Sequence, residues 1–242
     1  MKYLLLTTAA SVMVASPAFA DSFTEGWGGE ASLSGSTTSG NTSTTDIGLA
    51  LHLNKTQGAW KHNFDTTYDL GKAGGFDNKN RWYIGYKLDR KINDRLYVYG
   101  NANYFTDDFG PFKQGSFIGT GLGYQVIEPD PMAWALEGGV GYRSQKTRES
   151  GIIPSFKESE FAVRGASNFD YKLNDAVSFY NNSEVIWSQS DTYMWNDTGI
   201  TATLAGNLAA RFSFRVDHHT DVPVGIKKTD TITRGSLVYT LK

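Results

Sequence analysis

Apolar residues fall on every second position through almost the whole chain. The clearest stretch lies near its end, with Thr198, Ile200, Ala202 and Leu204, then Leu208, Ala210, Phe212, Phe214 and Val216, then Leu237, Tyr239 and Leu241. A helix places one face every three or four residues, so a period of two held over segments of about ten marks strands with a single apolar face. The pattern predicts about twelve strands. One set runs over 27–37, 60–70, 96–106, 134–144, 177–187 and 208–220, and the opposite set over 44–54, 81–89, 116–126, 160–171, 198–204 and 231–241.

The connections alternate in length. Tight turns are expected at 55–58, 90–94, 129–131, 173–175 and 205–207, and longer loops at 71–80, 107–113, 145–159, 189–196 and 221–228. Short turns on one side and long loops on the other are the arrangement of an outer-membrane barrel, with the turns periplasmic and the loops outside. The expected fold is therefore an all-β, transmembrane, antiparallel up-and-down barrel with both termini periplasmic. A soluble sandwich also alternates, and the aromatic residues separate the two. Trp27, Trp60, Trp134 and Tyr239 fall at one end of their strands, and Trp82 and Trp187 at the other. Indole and phenol rings straddle the boundary between hydrocarbon and headgroup, so two such girdles bound a membrane-spanning band, whereas a sandwich would collect its rings at strand centres. Trp195 is placed in a loop just beyond the outer girdle.

Residues 1–20 read as a cleaved signal peptide. Lys2 starts it, an apolar stretch runs from Leu4 to Ala15, and Ala18-Phe19-Ala20 supplies the small-residue cleavage site. Residues 21–242 then form one barrel domain, since no linker composition interrupts the turn spacing. The chain is 40% hydrophobic with a mean hydropathy of −0.38, so its membrane segments have to be strands, in which only alternate residues meet lipid. A net charge of −2 with dispersed basic residues gives no footprint for nucleic acid. Zero cysteines remove disulfides, Cys-ligated zinc and thiol catalysis together.

With this pattern in hand, the chain resembles the salt-induced outer membrane protein family, an outer-membrane β-barrel domain of unknown function. The likeness rests on Trp27-Gly28-Gly29-Glu30, Leu33-x-Gly35, Ser39-Gly40-Asn41-Thr42, Gly119-x-Gly121-Leu122-Gly123-Tyr124, Gly139-Val140-Gly141-Tyr142-Arg143, Lys228-Thr229-Asp230-Thr231 and Leu237-Val238-Tyr239. It runs from about Trp27 to Leu241. It implies an outer-membrane location and production linked to salt or osmotic stress, and transfers no catalytic residue. Leu241-Lys242 departs from the aromatic residue that commonly closes outer-membrane barrels.

Chemistry would sit on the inward face. Asp46, Arg81, Arg164, Glu184, Arg215 and Arg234 are the candidate pore-lining residues, placed near one height by counting from the strand ends. They read either as charges that pair across strands in a hydrated lumen or as a selective constriction. In the second case Arg164, Arg215 and Arg234 would favour small anions. The histidines offer a weaker, enzymatic alternative in lipid modification: His52 faces inward, His62 sits among girdle residues, and His218-His219 lie at the outer rim beside Asp217 and Asp221. Adjacent strand residues point to opposite faces, so His218 and His219 do not converge on one ion. Gly119, Gly121, Gly123, Gly139 and Gly141 form an inward track that Tyr97 and Tyr99 are expected to cover. Asn-x-Ser/Thr triplets at Asn41, Asn181 and Asn196 carry no glycan reading here.

The sequence thus predicts a non-enzymatic outer-membrane barrel without cofactor or metal, acting as a narrow passive pore or in envelope maintenance, with a structural barrel of plugged lumen as the alternative. Its partners would be outer-membrane lipids and lipopolysaccharide, the barrel-assembly machinery and periplasmic chaperones during biogenesis, and small ions or solutes.

Overall fold

The computed structural model describes residues 26–40, 44–73, 76–127, 131–148, 155–223 and 225–241. The signal peptide, Asn41 and part of the turn and loop expected at 129–131 and 145–159 lie outside these residues. Twelve strands are present: β1 Gly28–Ser39, β2 Thr44–Gln57, β3 Trp60–Ala73, β4 Phe76–Lys91, β5 Leu96–Asp107, β6 Phe112–Ile127, β7 Met132–Thr147, β8 Lys157–Lys172, β9 Val177–Ser188, β10 Thr192–Ala205, β11 Leu208–His219 and β12 Thr229–Leu241. Each pairs antiparallel with its sequence neighbours, and β1 pairs with β12, so the sheet closes on itself. The closing seam runs in unbroken register from Gly29↔Leu241 to Ser39↔Thr231. Closure leaves no strand with an unpaired backbone edge.

Turn chemistry fixes the register at one end of the barrel. Gly58-Ala59 joins Gln57 to its partner Trp60, and Gly206-Asn207 joins Ala205 to Leu208. The leading glycines have φ of 59° and 55°, the left-handed values that two-residue hairpins need at this position. The β4–β5 and β8–β9 turns use one device twice. Asn93 Oδ1 accepts from the Arg95 and Leu96 amides, and Asn174 Oδ1 from the Ala176 and Val177 amides.

The two faces of the wall differ in chemistry. Leu33, Leu49, Ile118, Leu122, Val140, Phe161, Ile200, Phe212 and Leu237 are exposed on the outside. The burial of Asp46, Asp69, Glu137, Arg143, Arg164 and Asp217 is on the inside. An apolar exterior and a charged interior invert the globular rule and match strands that meet lipid on one side and water on the other. Trp60, Trp82, Trp187 and Tyr239 are exposed on the outer wall. Trp27 packs its ring near His62, and Trp134 Nε1 donates to Ser167 Oγ at 3.1 Å.

Several expected loops are shorter than the apolar pattern implies, that at 145–159 included, where β7 runs to Thr147 and β8 starts at Lys157. β3 and β4 continue into 71–80, β6 begins at Phe112, and β10 begins at Thr192 rather than Thr198. A ladder needs only backbone partners, so it outlasts the alternation that reveals it. As a correction, Trp195 is not in a loop: it lies within β10, opposite Glu184 and Asp217.

Candidate functional site

The lumen is a cavity of about 1290 Å³ whose lining draws on all twelve strands. Its walls include Asn93 and Asp94 of the β4–β5 turn at one end and Phe109, Gly110 and Pro111 of the β5–β6 loop at the other. The same cavity therefore borders both mouths.

One side of its wall is built on glycine. Gly121 and Gly139 leave room for the Tyr99 side chain: a Cβ at either would come within 2.7 and 2.5 Å of its hydroxyl. Tyr97 occupies the corresponding space over Gly123, and Phe117 that over Gly119 and Gly141. The rings thus lie across β6 and β7, as the alternating glycines suggested, and occupy the furrow they create. Tyr97 and Tyr99 carry their hydroxyls to a charged centre. Glu137 receives Tyr97 Oη at 2.8 Å and Arg164 Nη1 at 2.8 Å, and also the Lys87 ammonium. Arg164 holds Glu184 as well, Nε to Oε2 at 2.6 Å, and its Nη1 donates to Tyr99 Oη at 3.0 Å. Glu184 Oε1 in turn accepts from Trp195 Nε1 at 3.2 Å, and the Arg215 guanidinium sits 4.4 Å from the Trp195 ring centre. Charge pairs, a cation over an indole and tyrosine hydroxyls make one connected network from β4 to β11.

Further pairs line the same cavity. Arg215 grips Asp217 with two bonds of 2.9 Å, and Tyr193 Oη donates to the same carboxylate. Arg81 lies in the field of Asp217 and Asp107. Arg234 reaches Asp69 at 3.2 Å, and Arg211 forks onto Glu30 at 2.5 and 2.8 Å. Asp46 is held by Lys79 at 2.6 Å, Thr38 at 2.9 Å and Ser36 at 3.3 Å. Of the six candidate pore-lining residues, Arg164 and Glu184 are in direct contact and share a network with Arg215. Asp46 and Arg234 belong to separate pairs, and Arg81 to the field around Asp217. They do not form one ring, because the stagger between strands displaces residues counted from equal ends.

At the loop end, Asp191 of the β9–β10 loop ties together β7, β11 and the β11–β12 loop. It accepts from Arg143 Nη2 at 3.0 Å and from the Asp221 amide at 3.1 Å, and His219 Nδ1 lies 2.6 Å from it. Burial pushes this carboxyl up, but the hydrogen bond and field of His219, the Asp221 amide and the Arg143 guanidinium bring it down to about 2. His219 stacks on Tyr193 with ring centres 4.6 Å apart, while His218 faces outward and bonds Thr229. His52 pairs with Asp65, and His62 with the Tyr86 hydroxyl at 2.7 Å. Among the described residues no group of three or more His, Cys, Asp or Glu could hold a metal.

Sequence reasoning missed Lys79, Tyr193 and Asp191. Lys79 and Tyr193 fell inside expected loops, and Asp191 gains its role only when Arg143 and His219 meet it from other strands.

Solved structures with the same architecture are outer-membrane proteins. The NanC porin matches with a TM-score of 0.60 at 10% identity, over 87% of this chain and 100% of its own. An outer membrane channel from Pseudomonas putida F1 matches with 0.52 at 8% identity, over 89% and 95%. The KdgM porin matches with 0.50 at 11% identity, over 88% and 99%. No curated protein matches the chain. The family described as "Protein of unknown function, DUF481" matches residues 31–241.

Proposed function

The chain belongs to the DUF481 family, described as proteins of unknown function, and we propose that it is a bacterial outer-membrane barrel forming a narrow, weakly selective passive pore for small ions or polar solutes. The observation that carries this reading is the polar-lined cavity bordered at one mouth by Asn93 and Asp94 and at the other by Phe109 and Pro111. Twelve strands lie between the eight that side chains just fill and the sixteen or more that leave a wide channel. The apolar outer wall supports residence in lipid, and an even strand number puts both termini on one side, which is periplasmic in this reading.

Weak selectivity follows from pairing. Arg164, Arg211, Arg215 and Arg234 each hold a carboxylate, so the arginines that would have drawn anions present little net field. A passive pore rather than a lipid-modifying enzyme is also favoured by the histidines, whose partners are Asp65, Tyr86, Thr229 and Asp191 rather than a serine. The resemblance to the salt-induced family adds the proposal that production rises under salt stress; unchanged abundance after a shift to high salt would remove it.

Conductance of the purified protein in planar bilayers tests the pore. Small, long-lived steps with reversal potentials close to zero under a salt gradient are expected. A protein that inserts and conducts nothing is a structural barrel with a plugged lumen.

A further inference from the structure

On the outer wall, β9 and β10 interrupt the apolar belt with two asparagine side chains. β9 and β10 turn Asn181, Ser183, Asn196 and Thr198 outward, on the same face as exposed Val185, Trp187 and Ile200. The register sets Asn181 opposite Thr198 and Ser183 opposite Asn196. Four hydrogen bonds close these side chains into a ring: Asn181 Nδ2 to Thr198 Oγ1 at 2.6 Å, Thr198 Oγ1 to Asn196 Oδ1 at 2.9 Å, Asn196 Nδ2 to Ser183 Oγ at 2.7 Å and Ser183 Oγ to Asn181 Oδ1 at 3.5 Å. Two of the three Asn-x-Ser/Thr triplets, those at Asn181 and Asn196, are the two halves of this ring.

The patch extends sideways over small residues. Ser167 is the register partner of Ser183 on β8, and Gly165 pairs with Gly138 of β7. A Cβ on Gly138 would meet no atom within 4 Å, so the wall there is flat and open. Around this polar, low-relief centre stand Leu136, Val163, Val185, Trp187 and Ile200, all exposed.

Polar side chains facing hydrocarbon are costly, and the ring meets that cost only in part. Each asparagine amide nitrogen has two hydrogens and the ring uses one of each, and each carbonyl oxygen can accept again. A primary amide is its own complement, donor and acceptor on one group. A two-fold axis through the patch would set amides against amides and small residues against small residues, with no second kind of surface required.

We propose that the β8–β10 face around Asn181 and Asn196 is the interface through which two copies of this chain associate within the bilayer. The inference rests on the membrane reading above.

Cysteine crosslinking tests it cleanly, because the chain contains no cysteine. The full-length protein carrying Ser183→Cys is reconstituted in lipid vesicles and oxidised, beside a Leu49→Cys control on the β2 wall. Flotation with the vesicles is read first, since a protein that does not float overturns the membrane reading and this one with it. For protein that floats, a disulfide-linked species of twice the protomer mass is expected at Ser183→Cys, about tenfold above Leu49→Cys. Equal yields, no product, or an adduct with another protein in native membranes would overturn the proposal. A second variant, Asn181→Leu with Asn196→Leu, removes the amides while suiting lipid. It is expected to raise the dimer dissociation constant about tenfold, about 1.4 kcal/mol, and to keep the folded, heat-modifiable gel mobility. A folded double variant with unchanged self-association would overturn the proposal equally.

Discussion

Arg164 on β8 meets Glu137 on β7 at 2.8 Å, with side chains 9% and 1% exposed respectively. Breaking a buried pair strands the surviving charge, so Arg164→Ala or Glu137→Ala should lower unfolding stability by about 3 kcal/mol. The double variant should cost less than the sum, because neither charge is left alone. Urea titrations of refolded protein read both quantities. Additive losses would mean that Lys87 and Glu184 carry the network without this pair.

The tyrosine furrow makes bore width adjustable. A Cβ on Gly123 would lie 2.1 Å from the Tyr97 ring, so Gly123→Ala must push that ring towards the lumen. Single-channel conductance should fall, at a stability cost of about 1–3 kcal/mol. Tyr97→Ala should raise conductance alone and restore it in combination. An unchanged conductance in all three would place the constriction elsewhere.

The inner and outer faces should respond oppositely to charge. Leu122→Arg and Val140→Arg put guanidinium on the lipid side and should each cost about 2–4 kcal/mol, whereas Thr203→Arg on the lumen side should cost less. Folding titrations in bilayers compare them. The reverse order would mean a register slipped by one residue.

Acid should loosen the loop end before the wall. Asp191 is held at about 2, below the ordinary carboxyl value near 3.9. A lowered pKa contributes stability above the unfolded value, lost as pH falls through the folded one. The contribution should therefore be intact from neutral pH to about pH 4 and disappear towards pH 2. Hydrogen exchange at the Asp221 amide, which donates to Asp191 at 3.1 Å, reports it directly. Asp191→Asn should exchange faster at neutral pH and show no further acceleration over that range.

The proposed orientation places Ser155 outside and Asp175 in the periplasm. An impermeant maleimide should label Ser155→Cys on intact cells and leave Asp175→Cys unlabelled. The opposite pattern would invert the barrel.

Alternation was legible wherever one face met hydrocarbon. β11 and β12 kept Phe212, Phe214, Leu237 and Tyr239 outward, and the strand ends followed from the turns at Gly58 and Gly206. The first half of β10 defeated the same reasoning. Tyr193 and Trp195 point inward while Asn196 and Thr198 point outward, so the expected polarity is reversed and the stretch resembles a loop. The site was legible as a set of inward charges but not as pairs. Asp46 finds Lys79 two strands away and Arg234 finds Asp69 three strands away, and stagger, invisible in one strand's sequence, decides both meetings.

The seam between β1 and β12 also dictates when the molecule can be finished. Gly29 and Leu241 are register partners from opposite ends of the chain, so this ladder has the greatest sequence separation in the fold. Until β12 arrives, eleven strands form a sheet with two bare backbone edges, each a template for the wrong partner. Hairpins can form early from neighbouring residues, but the last zipper closes only after the rest of the sheet has curled. The first and last strands should therefore gain protection from exchange together and last, and a chain stopped before Thr229 would remain an open, adhesive sheet.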